Sequence, residues 1–324
     1  MSCPFPLGLV LSTVTAGAPQ EFVALGQLAE AHGFEAVFVN EGRGDALACA
    51  QAIASATTRI LVGTNIANVY FRHPFLAAAS VRTIAELSDG RMRVGFGVSH
   101  RRLLGSLGID MGDARETLRR YVATVQHGLA GRAGEGFLQQ PAVAVSAPVY
   151  VAANTLETAA VAGEVGDGLM PFLTPRSALP ALVAAAREAA GRAGRTLNAC
   201  ACVLSIPTFV SDDRAAARSA ARYNLAFFAL LPNYRRQWRR AGFGLAMDAI
   251  RALGEGASRR EIAALIPEEL VEEVCVFGTA DDCRAQLAAF HAAGADLPVI
   301  AVSPVNEDRL VATRKAIVAL GGDA

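Results

Sequence analysis

Ile60-Leu61-Val62-Gly63-Thr64 and Met92-Arg93-Val94-Gly95-Phe96-Gly97-Val98 are two short, β-rich apolar runs, and the stretch between them, from Pro74 to Ser88, is patterned as a helix. Two strands separated by a helix of that length form a parallel pair with a crossover connection. Working outward, the same alternation repeats. Leu7 to Leu11 and Ala36 to Val39 precede this unit, and Val149 to Ala152, Gly168 to Phe172, Cys200 to Val210 and Leu297 to Val302 come after it. Helices are expected near 20–32, 43–56, 113–130, 155–165, 176–193 and 306–320. Eight such strands alternating with helices predict an α/β fold, the (β/α)8 TIM barrel, with the chain 1–324 as one domain. A doubly wound sheet would need a glycine-rich first turn, but Leu11-Ser12-Thr13-Val14-Thr15-Ala16-Gly17 has no GxGxxG, and Gly95-Phe96-Gly97 supplies only G-x-G. The segment from about 211 to 293 exceeds one ordinary unit, so a helical insertion is expected there, overhanging the C-terminal mouth where barrels bind substrates.

The composition fits this. The 324 residues are 52% hydrophobic and 19% charged, and 30 Lys plus Arg balance 30 Asp plus Glu. Zero net charge supplies no long-range field to gather nucleic acid or an anionic membrane, so neither is expected as a partner. The densest apolar stretch, Leu225 to Leu231, is stopped by Pro232 and is far too short to span a bilayer. Met1 to Pro6 lacks the basic start of a signal peptide, and a cytoplasmic location is expected. The six cysteines, Cys3, Cys49, Cys200, Cys202, Cys275 and Cys283, have neither metal-ligand spacing nor a disulfide pattern. They read as free thiols, and no metal is expected.

In a barrel the functional residues come directly after the strands. After strand 2 stands Asn40-Glu41-Gly42; Glu41 is a candidate catalytic acid, or equally a loop acid that caps the next helix. His73 before Pro74 reads as shaping a helix entrance. Gly95-Phe96-Gly97-Val98-Ser99-His100 combines glycines that let a ligand approach backbone amides with a histidine placed for proton transfer. Ala152-Ala153-Asn154-Thr155-Leu156-Glu157 is a capping-box-like helix start whose free N–H groups could take a phosphate, or which only caps its helix. In the insertion, Tyr223, Phe227, Phe228, Tyr234, Trp238 and Phe243 offer aromatic surface to roof a pocket, with helical core as the competing reading. Arg235-Arg236-Gln237-Trp238-Arg239-Arg240 gathers arginines on one helical side, either as a solvated face or for a carboxylate-rich ligand.

Read in order, Thr57-Thr58-Arg59-Ile60-Leu61-Val62-Gly63-Thr64-Asn65-Ile66, Arg72-His73-Pro74, Leu87-Ser88-Asp89-Gly90-Arg91, Gly95-Phe96-Gly97, Ala162-Gly163-Glu164-Val165-Gly166-Asp167-Gly168 and Val276-Phe277-Gly278-Thr279 cover most of the chain. Together they resemble the luciferase-like flavin-dependent oxidoreductases, particularly the branch using the deazaflavin coenzyme F420. The resemblance implies a tricyclic ring held at the barrel mouth over a bulged third strand, with a non-prolyl cis peptide at Asn65-Ile66. It maps phosphate binding to Gly97, Val98 and Ser99 and to Ala153, Asn154 and Thr155, and places Glu41 and His100 beside the ring and the substrate. It implies a small-molecule substrate and a homodimer. Members often have His directly after the acid that ends strand 2, whereas this chain has Gly42, which shifts proton transfer to His100.

The activity so implied is hydride transfer between coenzyme F420 and a small organic substrate. The first alternative is an FMN-dependent monooxygenase on the same fold, in which reduced flavin activates oxygen. The second is a barrel that binds flavin without turnover.

Overall fold

Eight parallel strands close into a ring in the computed structural model, which describes residues 3–14, 18–133, 138–195, 201–254 and 256–322. The strands are β1 (Gly8–Ser12), β2 (Ala36–Asn40), β3 (Leu61–Asn68), β4 (Met92–Gly97), β5 (Val149–Ala152), β6 (Gly168–Met170), β7 (Ala201–Val210), β8 (Val276–Gly278) and β9 (Leu297–Val302). The ring runs β1-β2-β3-β4-β5-β6-β7-β9 and returns to β1, as the TIM-barrel reading expects. A ninth strand, β8, stands outside the ring and extends it locally by pairing Val276 to Gly278 with Thr208 to Val210 at the end of β7. Three residues are too few to leave a period in the sequence, so β8 escaped the count. Cys200, expected to open β7, lies outside the described residues.

The helices begin where side chains close the first turn. They are α1 (Pro19–Ala31), α2 (Ala46–Ala56), α3 (Pro74–Leu87), α4 (Arg101–Ser106), α5 (Ala114–Leu129), α6 (Leu156–Val165), α7 (Leu179–Arg192), α8 (Arg214–Ala229), α9 (Pro232–Trp238), α10 (Gly244–Ala252), α11 (Arg259–Ala264), α12 (Glu268–Val274), α13 (Ala280–Ala292) and α14 (Arg309–Leu320). Asp45, Asp113, Asp213 and Asp308 cap α2, α5, α8 and α14 by accepting first-turn amides. His73 does the same for α3, its Nδ1 accepting from the Phe75 amide at 3.2 Å. Among the described residues no helix is long and apolar enough to cross a membrane, no group of side chains is arranged to hold a metal, and Cys3, Cys49, Cys275 and Cys283 are free thiols.

The apolar residues sort into three layers. Phe38, Met170, Val203 and Val299 fill the lumen with Val10, Ile66 and Tyr150. A larger core lies between the strands and the outer helices. The third joins the insertion, α8 to α12, to the ends of β7 and β8 through Leu225, Trp238, Leu270, Phe209 and Phe277. Trp238 anchors it: the indole N–H donates to the Leu173 carbonyl at 3.1 Å, beside Gln237, whose amide reaches the Thr174 hydroxyl at 2.9 Å.

β3 carries the main irregularity. Thr64 faces Val94 and Ala67 faces Phe96, so three steps on β3 match two on β4. The Asn65-Ile66 peptide within that bulge is cis. Below it Gly63 permits close approach, since a Cβ there would sit 1.8 Å from the Arg93 carbonyl oxygen and 3.1 Å from the Phe38 ring. Gly63→Ala should therefore destabilise the fold by at least about 1–3 kcal/mol, the usual cost of forcing atoms into a packed core. Gly105→Ala on α4, where nothing lies within 4 Å of the added carbon, should be neutral or stabilise by up to about 1 kcal/mol. Denaturant unfolding of both variants checks the contrast.

Candidate active site

The bulge turns two consecutive residues, Asn65 and Ile66, into the barrel. Asn65 donates from Nδ2 to the Ser205 hydroxyl on β7 at 2.9 Å. β3 and β7 stand four places apart in a ring of eight, so this bond crosses the lumen. Ile66 packs with the lumen cluster. Its side chain and the Ala152 methyl frame Gly97, where a Cβ would come within 2.9 and 2.8 Å of them. Asn65, Ile66, Gly97 and Ala152 thus form a floor that any larger residue at 97 would break. Thr64 locks it from beneath, donating its hydroxyl to the Gly95 carbonyl at 2.8 Å and accepting the Gly95 amide at 3.1 Å.

Past the floor, β4 ends at Gly97 rather than at Val98. Val98 packs outward on the helix-side core, and Ser99 takes a left-handed φ of 56° that reverses the chain into α4. His100 is the cap of α4, a helix the sequence pattern did not predict; its Nδ1 accepts the Leu103 amide at 3.3 Å. Burial, and then the charge of Arg102, holds this imidazole below its ordinary 6.5. His100 is therefore neutral at pH 7, with its proton on Nε2 because Nδ1 is an acceptor.

Glu41 occupies a different environment. Along β2, Phe38 belongs to the lumen and Val39 to the helix-side core, and Glu41, two residues after Val39, turns to the helix side as well. Its carboxylate pairs with Arg72 at 2.5 Å and accepts the Asn68 amide at 2.7 Å and the Ala46 amide at 3.4 Å. Arg72 also pairs with Asp45 at 2.6 Å. Burial works against the Arg72 charge, but the two carboxylates more than offset it and raise its pKa. The Glu41 side chain is only 3% exposed. No bond joins Glu41 to His100 among the described residues; only the Glu41 main chain touches the floor, donating to the Ile66 carbonyl at 3.1 Å. The alternation along β2 separates the two expected partners.

The start of α6 corrects the capping expectation. The cap is Thr155, one residue later than Asn154, and its box partner is Thr158 rather than Glu157. The Asn154 and Thr155 amides both donate to the Thr158 hydroxyl, at 3.2 and 3.0 Å, and the Ala153 amide to the Met170 carbonyl at 3.3 Å. Asn154 Oδ1 is drawn away to the Phe172 amide at 2.9 Å. Glu157 lies over the helix start, where the Thr155 hydroxyl, its own amide and Arg240 lower its pKa. The amides expected to be free for a phosphate thus already have partners within the protein, the Thr158 hydroxyl and the Met170 carbonyl.

Insertion residues close the mouth from above. Phe228 of α8 meets Phe172 edge-on at 5.3 Å and Tyr234 at 5.2 Å. Trp238 is core and Tyr223 is exposed beneath Arg259, so the roof expected of six aromatics is built mainly by Phe228 with Phe172. The arginines are not one free face: Arg235 donates to the Ala229 carbonyl, Arg239 pairs with Asp248, and Arg240 reaches Glu157 at 3.4 Å. A π-helical turn at Arg239–Phe243 breaks the helix on which they were to align.

A cleft opens at the mouth, lined by Ser12, Asn40, Phe172, Pro207, Asn224 and Phe228 among others. Asn40, Ser12 and Asn224 were not singled out from the sequence; isolated Asn and Ser leave no motif. The cleft lies over β1, β2, β7 and β9, whereas Gly97 to His100 and Ala153 to Thr155 come after β4 and β5, which stand opposite β9 and β1. The mouth has two sides, with the Asn65–Ser205 bond between them.

Comparison with known proteins agrees with this architecture. A Mycobacterium tuberculosis protein provisionally named a coenzyme F420-dependent oxidoreductase is 28% identical over 95% of this chain and 98% of its own. Among solved structures, the coenzyme F420-dependent tetrahydromethanopterin reductase from Methanopyrus kandleri superposes with a TM-score of 0.78 over 98% of both chains at 20% identity. A Pseudomonas putida 3,6-diketocamphane monooxygenase in complex with FMN gives 0.68 over 100% of this chain and 98% of its own at 15% identity. The model described as luciferase-like monooxygenase matches residues 5–297, and the chain belongs to that family.

Proposed function

We propose that this enzyme is a coenzyme F420-dependent oxidoreductase acting on a small organic substrate. The observation that carries the reading is the near full-length relative named for that coenzyme, 28% identical over 95% of the chain. The floor fits a planar ring: Ile66 and Ala152 flank Gly97, where even one added carbon would intrude. The coenzyme, when bound, supplies a carbon that gives or takes hydride. Asn65 and Ile66 would hold the ring from below, and Gly97, Val98 and Ser99, with Ala153, Asn154 and Thr155 beside them after the neighbouring strand, would line the phosphate side. The substrate would enter over β1, β2, β7 and β9, on the other side of the lumen, under Phe228.

The protein's part is positioning and proton management. Asn65, fixed by Ser205, holds the floor in register. His100 presents a neutral Nε2–H donor to an oxygen that gains or sheds negative charge as hydride moves. Glu41 is a positioning residue: its buried pairing with Arg72 and its bond to the Asn68 amide clamp the ends of β2 and β3 around the bulge. FMN-dependent monooxygenation is the second reading, favoured by the FMN-complexed neighbour that shares the fold.

Titrating the purified protein with coenzyme F420 and with FMN should show micromolar binding of the first and much weaker binding of the second; stoichiometric FMN with oxygen consumption would reverse the assignment. His100→Gln should lower turnover by about 10²- to 10⁴-fold with coenzyme affinity little changed. Because the His100 pKa is depressed, the wild-type rate should be level above pH 6.5 and change only below it, a limb absent from the variant. Raised coenzyme Kd with normal turnover would instead place His100 on the phosphate side. Glu157→Gln, which removes the carboxylate over the start of α6, should tighten coenzyme binding several-fold if the phosphate sits there, and isothermal titration of both proteins decides it.

A further inference from the structure

The mouth cleft does not stop at the barrel wall. It touches Val10, Leu11 and Ser12 on β1 and, facing them, Ala301, Val302 and Ser303 at the end of β9. Successive strand residues point to opposite faces, so a cavity that meets consecutive residues on both strands passes between them. The pairing agrees. β1 and β9 are joined only at Gly8–Val299 and Leu9–Ile300, although β1 stays paired with β2 as far as Ser12–Asn40 and β9 with β7 as far as Thr208–Val302. Above Leu9 the barrel is open along this seam.

Behind the seam the cleft runs between α1 and α14. Phe22, Leu25 and Leu310 give it apolar walls, and Glu21 and Arg309 are its charged groups. Glu21 Oε2 is buried and has no hydrogen-bond partner among the described residues. An unpaired buried carboxylate oxygen is costly unless a donor meets it. Glu21 lies in the first turn of α1. Arg309 donates to the Val302 carbonyl at 3.2 Å, and no carboxylate pairs with it among the described residues. Burial lowers its pKa, against the pull of Asp308. Among the described residues the slot therefore presents an acceptor lacking a donor and a guanidinium that holds one carbonyl, has no carboxylate, and keeps further N–H donors for a ligand.

We propose that this slot is a substrate subsite for a carboxamide-class end group carried on an apolar stem through the β1–β9 seam. The amide N–H is given to Glu21, the carbonyl accepts from Arg309, and the stem lies on Phe22, Leu25 and Leu310. A bare carboxylate end would face Glu21, and a bare ammonium end would face Arg309; an amide satisfies both. This rests on the reading of the mouth as the substrate side of an oxidoreductase.

Hexanamide and methyl hexanoate share stem and carbonyl, and only the first carries N–H donors. Titrated into the wild-type protein by ligand-observed NMR, hexanamide should bind about tenfold or more tightly than the ester, as expected for a hydrogen bond to a charged group. Glu21→Leu should remove that preference. Leu310→Trp, which fills the slot from a helix face, should weaken both ligands, and it remains informative if Glu21→Leu fails to fold. Equal affinities in the wild type, no hexanamide binding at millimolar concentration, a preference surviving Glu21→Leu, or unchanged affinities in Leu310→Trp would each overturn the proposal. Coenzyme F420 titration of the same proteins separates the two readings: lost coenzyme binding with the amide preference intact removes the cofactor assignment and leaves the slot, and the converse removes the slot alone.

Discussion

The register shift in β3 is the constraint on which the candidate site depends. Strict alternation would send only one of Asn65 and Ile66 into the lumen. Matching three β3 steps to two on β4 admits both, so one supplies a polar bridge to Ser205 and the other an apolar surface beside Gly97. The extra residue also sets the course of the chain beyond the bulge. Ala67 returns to the helix-side core, which leaves the Asn68 amide facing Glu41 and brings the Arg72 guanidinium over the end of β2. A polar network above β2 and a smooth floor inside the barrel are two consequences of one insertion in the ladder.

That network bears on how much of the site was legible. Glu41 stands where a catalytic acid would, directly after a strand, and sequence position alone leaves catalysis and structure equally open. The structure shows a carboxylate with both oxygens occupied by partners on α2, on β3 and in the loop before α3. Breaking such a buried pair by removing one partner typically costs about 3–5 kcal/mol, because the remaining charge is stranded. Arg72, shortly before a helix-starting proline, could have been read as the partner, but the Glu41 to Arg72 separation has no periodic signature. Contacts across two βα units arise from the closure of the barrel, not from local pattern.

Strand runs, proline-led helices and aspartate caps were legible because each is set by neighbouring residues. The family-like motifs were legible too, yet several prove to be joints of the scaffold. Burial would raise the Glu30 pKa, but the amides of Arg59, Ile60 and Thr58 bring it below the ordinary value, and those bonds seat the start of β3. Arg91 donates to the Ala54, Thr57 and Ile60 carbonyls and so ties α2, β3 and β4 together at the opposite end of the barrel from the mouth. Asp167 accepts the Val149 amide at 2.8 Å and pairs with Arg195 at 2.6 Å, fixing β5 against β6. These residues identify the family through its architecture. The Thr155 cap was misplaced by one residue for the reason the joints were found: Asn and Thr are both good caps, and only the contact of Asn154 with Phe172, from the next strand, decides between them.

The two-sided mouth has a chemical corollary. On the cleft side, the polar lining around Asn40, Ser12, Asn224 and Ser303 is neutral, and among the described residues the charged groups of the cleft, Glu21 and Arg309, lie at or behind the seam. Neutral amides and hydroxyls can orient a substrate but cannot exchange a full proton near pH 7. Acid–base chemistry above the floor must therefore draw on the rim, on bulk water, or on a group brought in by the ligands. His100 is the rim imidazole; its cap to Leu103 fixes its tautomer, and burial with the charge of Arg102 lowers its pKa. Its place after β4, across the lumen from the seam, means that it meets a substrate only where the substrate reaches over the floor toward Gly97. That is also where a ring resting on Ile66 would lie. On the proposed reading, the two requirements of hydride transfer, a carbon acceptor or donor stacked on the floor and a proton carrier at its edge, would meet at the β4 side of the barrel, and the β1–β9 side would be left to recognition.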